Sequence, residues 1–332
     1  MERTGVALSM GLPPRDIVEC VRLAEELGYE SAWMAEGHGG DQFSILTACA
    51  VATEKILLGT SITSVFVRTP PTIAMAAACV DHFSKGRFIL GVGSSHRVQV
   101  EGEHGLVFGQ PIARVRECVE IVRTLLREDR VSFKGEVYDI EGFDLWFKPY
   151  RKEIPVFVAA VFPKMLEVCG EMAQGTMLTS CTLDRARDAV EHVAAGARRA
   201  GRDPAEVEVS TLVRCGIGDD RERAADGMRP GLAMYAARFP RYRRMMMEAG
   251  FADEVQASRR AWEEGDQAKA QRLLPVELLD TIGIVGTAEH ARSRTEQYRE
   301  AGITLPIISP AVSGSDDPKA QVMEILRACA PG

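Results

Sequence analysis

His38 stands among three glycines, Gly37, Gly39 and Gly40, two residues after Glu36 at the end of an apolar segment. A second histidine, His96, closes the run Gly91-Val92-Gly93-Ser94-Ser95-His96, with Gln99 three residues on. An imidazole titrates near working pH, with an unperturbed pKa of about 6.5, so either ring suits proton transfer to or from a substrate. His96 could equally hydrogen-bond a neighbouring loop. Glu36 is either a third member of this group or half of a structural ion pair, because an unpaired carboxylate at a buried strand end is costly. Hydroxyls and small residues recur at the ends of other apolar segments, in Ser61-Ile62-Thr63, Ala159-Ala160-Val161-Phe162 and Thr179-Ser180.

Bringing these segment ends to one rim requires a particular fold. Short apolar runs alternate with amphipathic stretches along the whole chain. Strands are expected over 5–11, 31–36, 56–64, 87–93, 156–161, 175–180, 208–217 and 304–309. Helices are expected between them, the first opened by Pro13 and Pro14 and carrying Ile17, Val21, Ala24 and Leu27 on one face. Eight near-continuously apolar strands separated by helices are what a closed parallel (β/α)8 barrel needs, since each strand is buried on both faces. In such a barrel the site lies at the C-terminal ends of the strands, where the residues above fall. A doubly wound open sheet is the alternative, though it rarely needs eight such units. One domain over 1–332 is expected, with insertions at about 129–150, read as a β-hairpin, and about 218–285, read as extra helices over the top of the barrel.

Composition excludes other classes. The 332 residues are 46% hydrophobic and 26% charged, the balance of a soluble globular protein. Acidic side chains number 47 against 40 basic ones, a net charge of −7 that argues against a nucleic-acid or anionic-membrane surface. The segment 241–247, rich in arginine and methionine, reads as an amphipathic helix that could sit over the pocket. The apolar runs are too short to span a bilayer and no secretory signal opens the chain, so a cytoplasmic location is expected. The eight cysteines form no Cys-x-x-Cys pair and read as small buried hydrophobes in a reducing compartment. Gly91-Val92-Gly93 begins like a dinucleotide fingerprint but has His96 where the third glycine belongs. No His-x-His or His-Glu-x-x-His occurs, which disfavours a zinc hydrolase, and Lys164 reads as a helix-start residue more than a Schiff-base lysine.

Several longer motifs carry a resemblance. They are Ala24-Glu25-Glu26-Leu27-Gly28-Tyr29-Glu30-Ser31-Ala32-Trp33, Leu58-Gly59-Thr60-Ser61-Ile62-Thr63 and Gly86-Arg87-Phe88-Ile89-Leu90-Gly91-Val92-Gly93. Gly286-Thr287-Ala288-Glu289 and Ala301-Gly302-Ile303 follow late in the chain. In order and spacing they resemble the bacterial-luciferase-like superfamily, and more closely its branch of oxidoreductases dependent on the deazaflavin coenzyme F420. That branch includes methylene-tetrahydromethanopterin reductase and the deazaflavin-dependent glucose-6-phosphate dehydrogenase.

The resemblance implies a redox enzyme whose hydride chemistry resides in the cofactor while the protein binds, orients and polarises it. It implies a bulged third strand with a non-proline cis peptide at Ser61–Ile62. Ser61, Ile62, Thr63, Gly93, Ser94, Ser95 and Gln99 would line the cofactor. Ala159, Ala160, Val161, Phe162, Thr179 and Ser180 would approach its phosphate end. His38, His96 and Glu36 are the catalytic candidates. Two positions depart from the sugar-phosphate enzyme: His96 stands where it has a glutamate, and Val161-Phe162 where it has a glycine pair. The expected partner is a small-molecule substrate, and a homodimer is the default assembly. The rival readings are a monooxygenase of the same fold using FMN and oxygen, and a cofactor-less barrel with a binding role.

Overall fold

The computed structural model describes residues 2–8, 11–312 and 316–331. Eight parallel strands close into a barrel. They are β1 (Gly5–Ala7), β2 (Ser31–Met34), β3 (Leu57–Thr60, resuming at Thr63–Ser64), β4 (Phe88–Gly93), β5 (Val156–Ala159), β6 (Gly175–Thr179), β7 (Glu208–Ile217) and β8 (Leu305–Pro310). Each pairs with its neighbours in chain order, and β8 closes on β1 through Gly5 opposite Ile307. The (β/α)8 expectation therefore holds. Its boundaries shift at several places, β5 among them, which ends at Ala159 and leaves Ala160 and Val161 in the loop. β2 ends at Met34, leaving Glu36 in the loop; β3 is broken at Ser61–Ile62; and β1 is short, with the expected residues 9 and 10 outside the described part.

The core has two shells. Outside the strands, helix faces such as Ile17, Cys20, Val21 and Ala24 of Pro14–Glu26 pack on the sheet. Inside, Ala7, Trp33, Ile89, Phe157, Met177, Leu305 and Ile307 fill the barrel. Trp33 and Phe157 meet with ring centroids 5.4 Å apart. The indole N–H of Trp33 donates to Ser31 Oγ at 2.9 Å, so the large ring is buried without an orphaned donor. This plug is the floor beneath the strand ends. Seven cysteines are buried as expected, while Cys79 is exposed.

Helix starts follow their local chemistry. Asp41 accepts from Ser44 N at the head of Gln42–Ala52, Thr182 from Arg185 N at Leu183–Arg199, and Thr287 from His290 N at Ala288–Glu300. The first insertion is the expected hairpin, Arg130–Lys134 against Asp139–Asp144. The second is helical with its own apolar cluster, which includes Leu232, Val255, Leu274 and Leu279. It ends in an unforeseen short strand, Ile284–Gly286, which extends β7 by pairing with Cys215–Ile217. Two of its helices, Arg229–Arg238 and Pro240–Met246, form a roof over the strand ends. Among the described residues no helix is long and apolar enough to cross a membrane.

Candidate active site

A cavity of about 1090 Å³ opens at the C-terminal ends of the strands. Most of the residues expected at the site line it: Glu36, His38, Ser61, Ile62, Ser94, Ser95, His96, Gln99, Ala159, Ala160, Val161, Phe162 and Thr179. Three expected residues stand off its wall. Thr63 is fully buried and donates its hydroxyl to Glu36, Gly93 backs Ile62 from behind, and Ser180 is buried beyond Thr179.

The break in β3 shapes one wall. The Ser61–Ile62 peptide is cis, as the resemblance implied. Ser61 N donates to Met34 O at 2.7 Å, and Ser64 N to Glu36 Oε2 at 2.9 Å. Arg68 Nε meets Glu36 Oε1 at 2.5 Å, and Arg68 also pairs with Asp41. Of the two readings of Glu36, the structure supplies the ion pair: its carboxylate ties the β2 loop to the bulge while still edging the cavity. The neighbouring strand must come close here. A Cβ on Gly91 would lie 1.8 Å from Thr60 O, and one on Gly93 2.9 Å from Ile62, so only glycine lets β4 pass. Among the described residues Ser61 Oγ has no hydrogen-bond partner and is left buried at the cavity wall, an acceptor and donor available to a ligand.

The two histidines have opposite surroundings. His38 is largely exposed, and its Nε2 lies 3.0 Å from Glu103 Oε2. The other oxygen of Glu103 accepts from Arg238 at 2.8 Å, so one carboxylate joins the His38 loop to the roof. His96 instead sits among rings, with centroids 4.5 Å from Phe239 and 5.2 Å from Tyr242. Burial, with the nearby Arg241 charge, holds its pKa down to about 4 from the ordinary 6.5. At neutral pH the ring is an uncharged hydrogen-bonding group.

A stability consequence follows. Below about pH 6.5 the unfolded chain takes up a proton at His96 that the fold refuses until about pH 4, so stability falls across that window as pH drops. We expect His96→Phe to lose less stability than wild type between pH 7 and pH 4.5 in urea melts. Equal losses in the two proteins would count against a buried neutral ring.

Four cations also reach the wall: Lys164, Arg241 and Arg244, the latter two on the 241–247 segment expected over the pocket, and Arg214, which the sequence reading missed. Arg244 pairs with Glu248 at 3.1 Å, and Arg241 lies 5.2 Å over the Phe162 ring. Lys164 is in the first turn of Pro163–Met172, the helix-start position expected, yet it also edges the cavity. The available signal for Arg214 was a lone charge inside the otherwise apolar β7 segment Leu212-Val213-Arg214-Cys215.

Comparison with known proteins gives consistent relatives. A family model described as luciferase-like monooxygenase matches residues 1–305. A Mycobacterium tuberculosis protein, provisionally named a coenzyme F420-dependent oxidoreductase, is 31% identical over 320 residues, covering 90% of this chain and 91% of its own. The 5,10-methylenetetrahydromethanopterin reductase of Archaeoglobus fulgidus is 27% identical over 306 residues, covering 90% of each chain. The solved coenzyme F420-dependent tetrahydromethanopterin reductase of Methanopyrus kandleri superposes with a TM-score of 0.86 at 22% identity. That match spans 99% of this chain and 98% of the other.

Proposed function

Since the chain belongs to the luciferase-like monooxygenase family, we propose that it is an oxidoreductase that uses coenzyme F420 to exchange hydride with a small organic substrate. The observation that carries the proposal is the large cavity at the strand ends, walled on one side by the Ser61–Ile62 bulge and reached on the other by unneutralised cations. The Mycobacterium tuberculosis relative provisionally named for this coenzyme supports the choice of deazaflavin over FMN.

The residues present fit such a group. Ser61 Oγ is an orphaned polar atom at the wall, and Ile62 offers an apolar surface to a flat ring. Ser94, Ser95 and Gln99 supply hydrogen-bonding groups on the adjoining edge, while Thr179 and the 159–162 turn border the far end. Lys164 and Arg241 make no ion pair among the described residues, so they are free to meet a phosphate. Val161 and Phe162 leave less room there than glycines would, and the cations compensate for that. When bound, the deazaflavin supplies hydride transfer. His38 gives or takes the substrate proton, held in place by Glu103. His96, neutral in its aromatic setting, orients by hydrogen bonding and carries no charge into the site. Glu36 keeps the bulge in shape through Thr63, Ser64 and Arg68.

The test is a fluorescence titration with oxidised deazaflavin, run beside FMN. Saturable micromolar binding of the deazaflavin, with FMN weaker, is the expected result. A preference for FMN would move the protein to the oxygen-using branch of the family. Binding of neither would leave a barrel with a ligand-binding role and no redox cofactor.

A further inference from the structure

We propose that Arg214 is the anchor for a monocarboxylate substrate. The proposal rests on the oxidoreductase reading for the ligand's being a substrate, whereas the anion site itself stands on geometry. Arg214 lies in β7, four strands from β3 in either direction around the eight-stranded ring, and so faces the Ser61–Ile62 bulge across the cavity. A molecule held there would sit between the arginine and whatever rests on Ile62.

The guanidinium is half-buried and, among the described residues, forms no hydrogen bond and no ion pair. It lies 5.5 Å over the ring of Tyr235. The roof leaves room for it: a Cβ on Gly231 would come 2.5 Å from Arg214 Nη1. Among the described residues Glu36 is the only carboxylate on the cavity wall, and it is held by Arg68 on the β2–β3 side. A cation removed in part from water and left without a counter-ion is costly, so a bound anion relieves that cost. The planar fork of arginine matches the two oxygens of a carboxylate.

One charge also limits the ligand's class. The other cavity cations belong to the β5 end and the second roof helix, where Arg241 is stacked on Phe162. Arg214 thus offers a single positive charge, joined by the hydroxyl of Ser309, its register partner on β8. That set suits a monoanion with one further hydrogen-bonding oxygen more than a phosphate dianion, which needs more donors and charge.

The experiment is a calorimetric titration of the protein, without and then with saturating deazaflavin. The probes are pyruvate and benzoate, their neutral amides, and methyl phosphate. We expect the carboxylates to bind, the amides to bind at least about tenfold more weakly, and methyl phosphate to bind no better than the carboxylates. Arg214→Gln should abolish the preference for carboxylate over amide, and Arg214→Lys should weaken it. Both variants should keep deazaflavin affinity, which also reports an intact fold. Binding of carboxylates by Arg214→Gln as tight as by wild type, no binding of either carboxylate, or a preference for methyl phosphate would each overturn the proposal. Failure of deazaflavin to bind while carboxylate binding persists would sink the cofactor reading instead, and leave the anion site standing.

Discussion

His38→Ala should lower turnover by about 10²–10⁴-fold, the usual worth of a positioned general acid or base, with little change in deazaflavin affinity. His38 is on the cavity wall, on a loop of glycines that adds no bulk of its own, and its ring is fixed by Glu103 at 3.0 Å. It contributes little to the core, so its loss should fall on proton transfer and spare folding. Comparing kcat with cofactor affinity separates the two effects. Glu103→Gln should give a smaller loss in the same direction, because the amide still reaches the ring but holds its orientation less firmly. Undiminished turnover in His38→Ala would pass the role to His96 or to solvent.

The second large effect concerns the frame. Arg151 follows the inserted hairpin and reaches into the barrel wall, where its Nε lies 3.1 Å from both oxygens of Asp81 and its Nη2 donates to Phe88 O at 2.6 Å. The Asp81 side chain is 0% exposed, while that of Arg151 is 30% exposed. Arg151→Ala would strand a buried carboxylate, a change that costs about 3–5 kcal/mol in general. The partly exposed guanidinium admits water, which places the expectation at the lower end, about 3 kcal/mol. Urea denaturation measures it directly. Removing both partners in Asp81→Ala/Arg151→Ala should cost less than the sum of the two single changes. A loss under about 1 kcal/mol for Arg151→Ala would show that the pair is incidental to stability.

The parts of this architecture written in local chemistry were legible. Apolar periodicity gave the eight strands, and turn residues such as Lys134-Gly135 gave the hairpin. What was obscured depends on contacts distant in sequence. The break in β3 came from the resemblance alone, since periodicity shows no apolar gap in 56–64, where Ile62 continues the hydrophobic run while turning towards the cavity. Glu36 could not be resolved between site residue and ion pair until Arg68, far along the chain, was placed beside it. The roof helices were foreseen as a covering, but their rings around His96 were not. Tyr235, Phe239 and Tyr242 are spaced at ordinary helical intervals and look like core from the sequence alone. Arg214 was passed over because β7 reads as apolar, although a single charge within such a strand is itself the signal of a group facing a cavity.

The separate apolar cluster of the second insertion has a consequence for how this scaffold can diversify. Leu232, Val255, Leu274 and Leu279 hold the roof together largely apart from the packing that holds the barrel. Roof residues such as Tyr235 and Arg241 can therefore be exchanged without reopening the eight-stranded core. The bulge, the strand-end hydroxyls, His38 and Arg214 stay with the barrel, and the insertion supplies the roof that closes over them. Selection acting on the roof would meet few penalties in thermal tolerance, and grafting the 218–285 segment between related barrels is the engineering route this division opens.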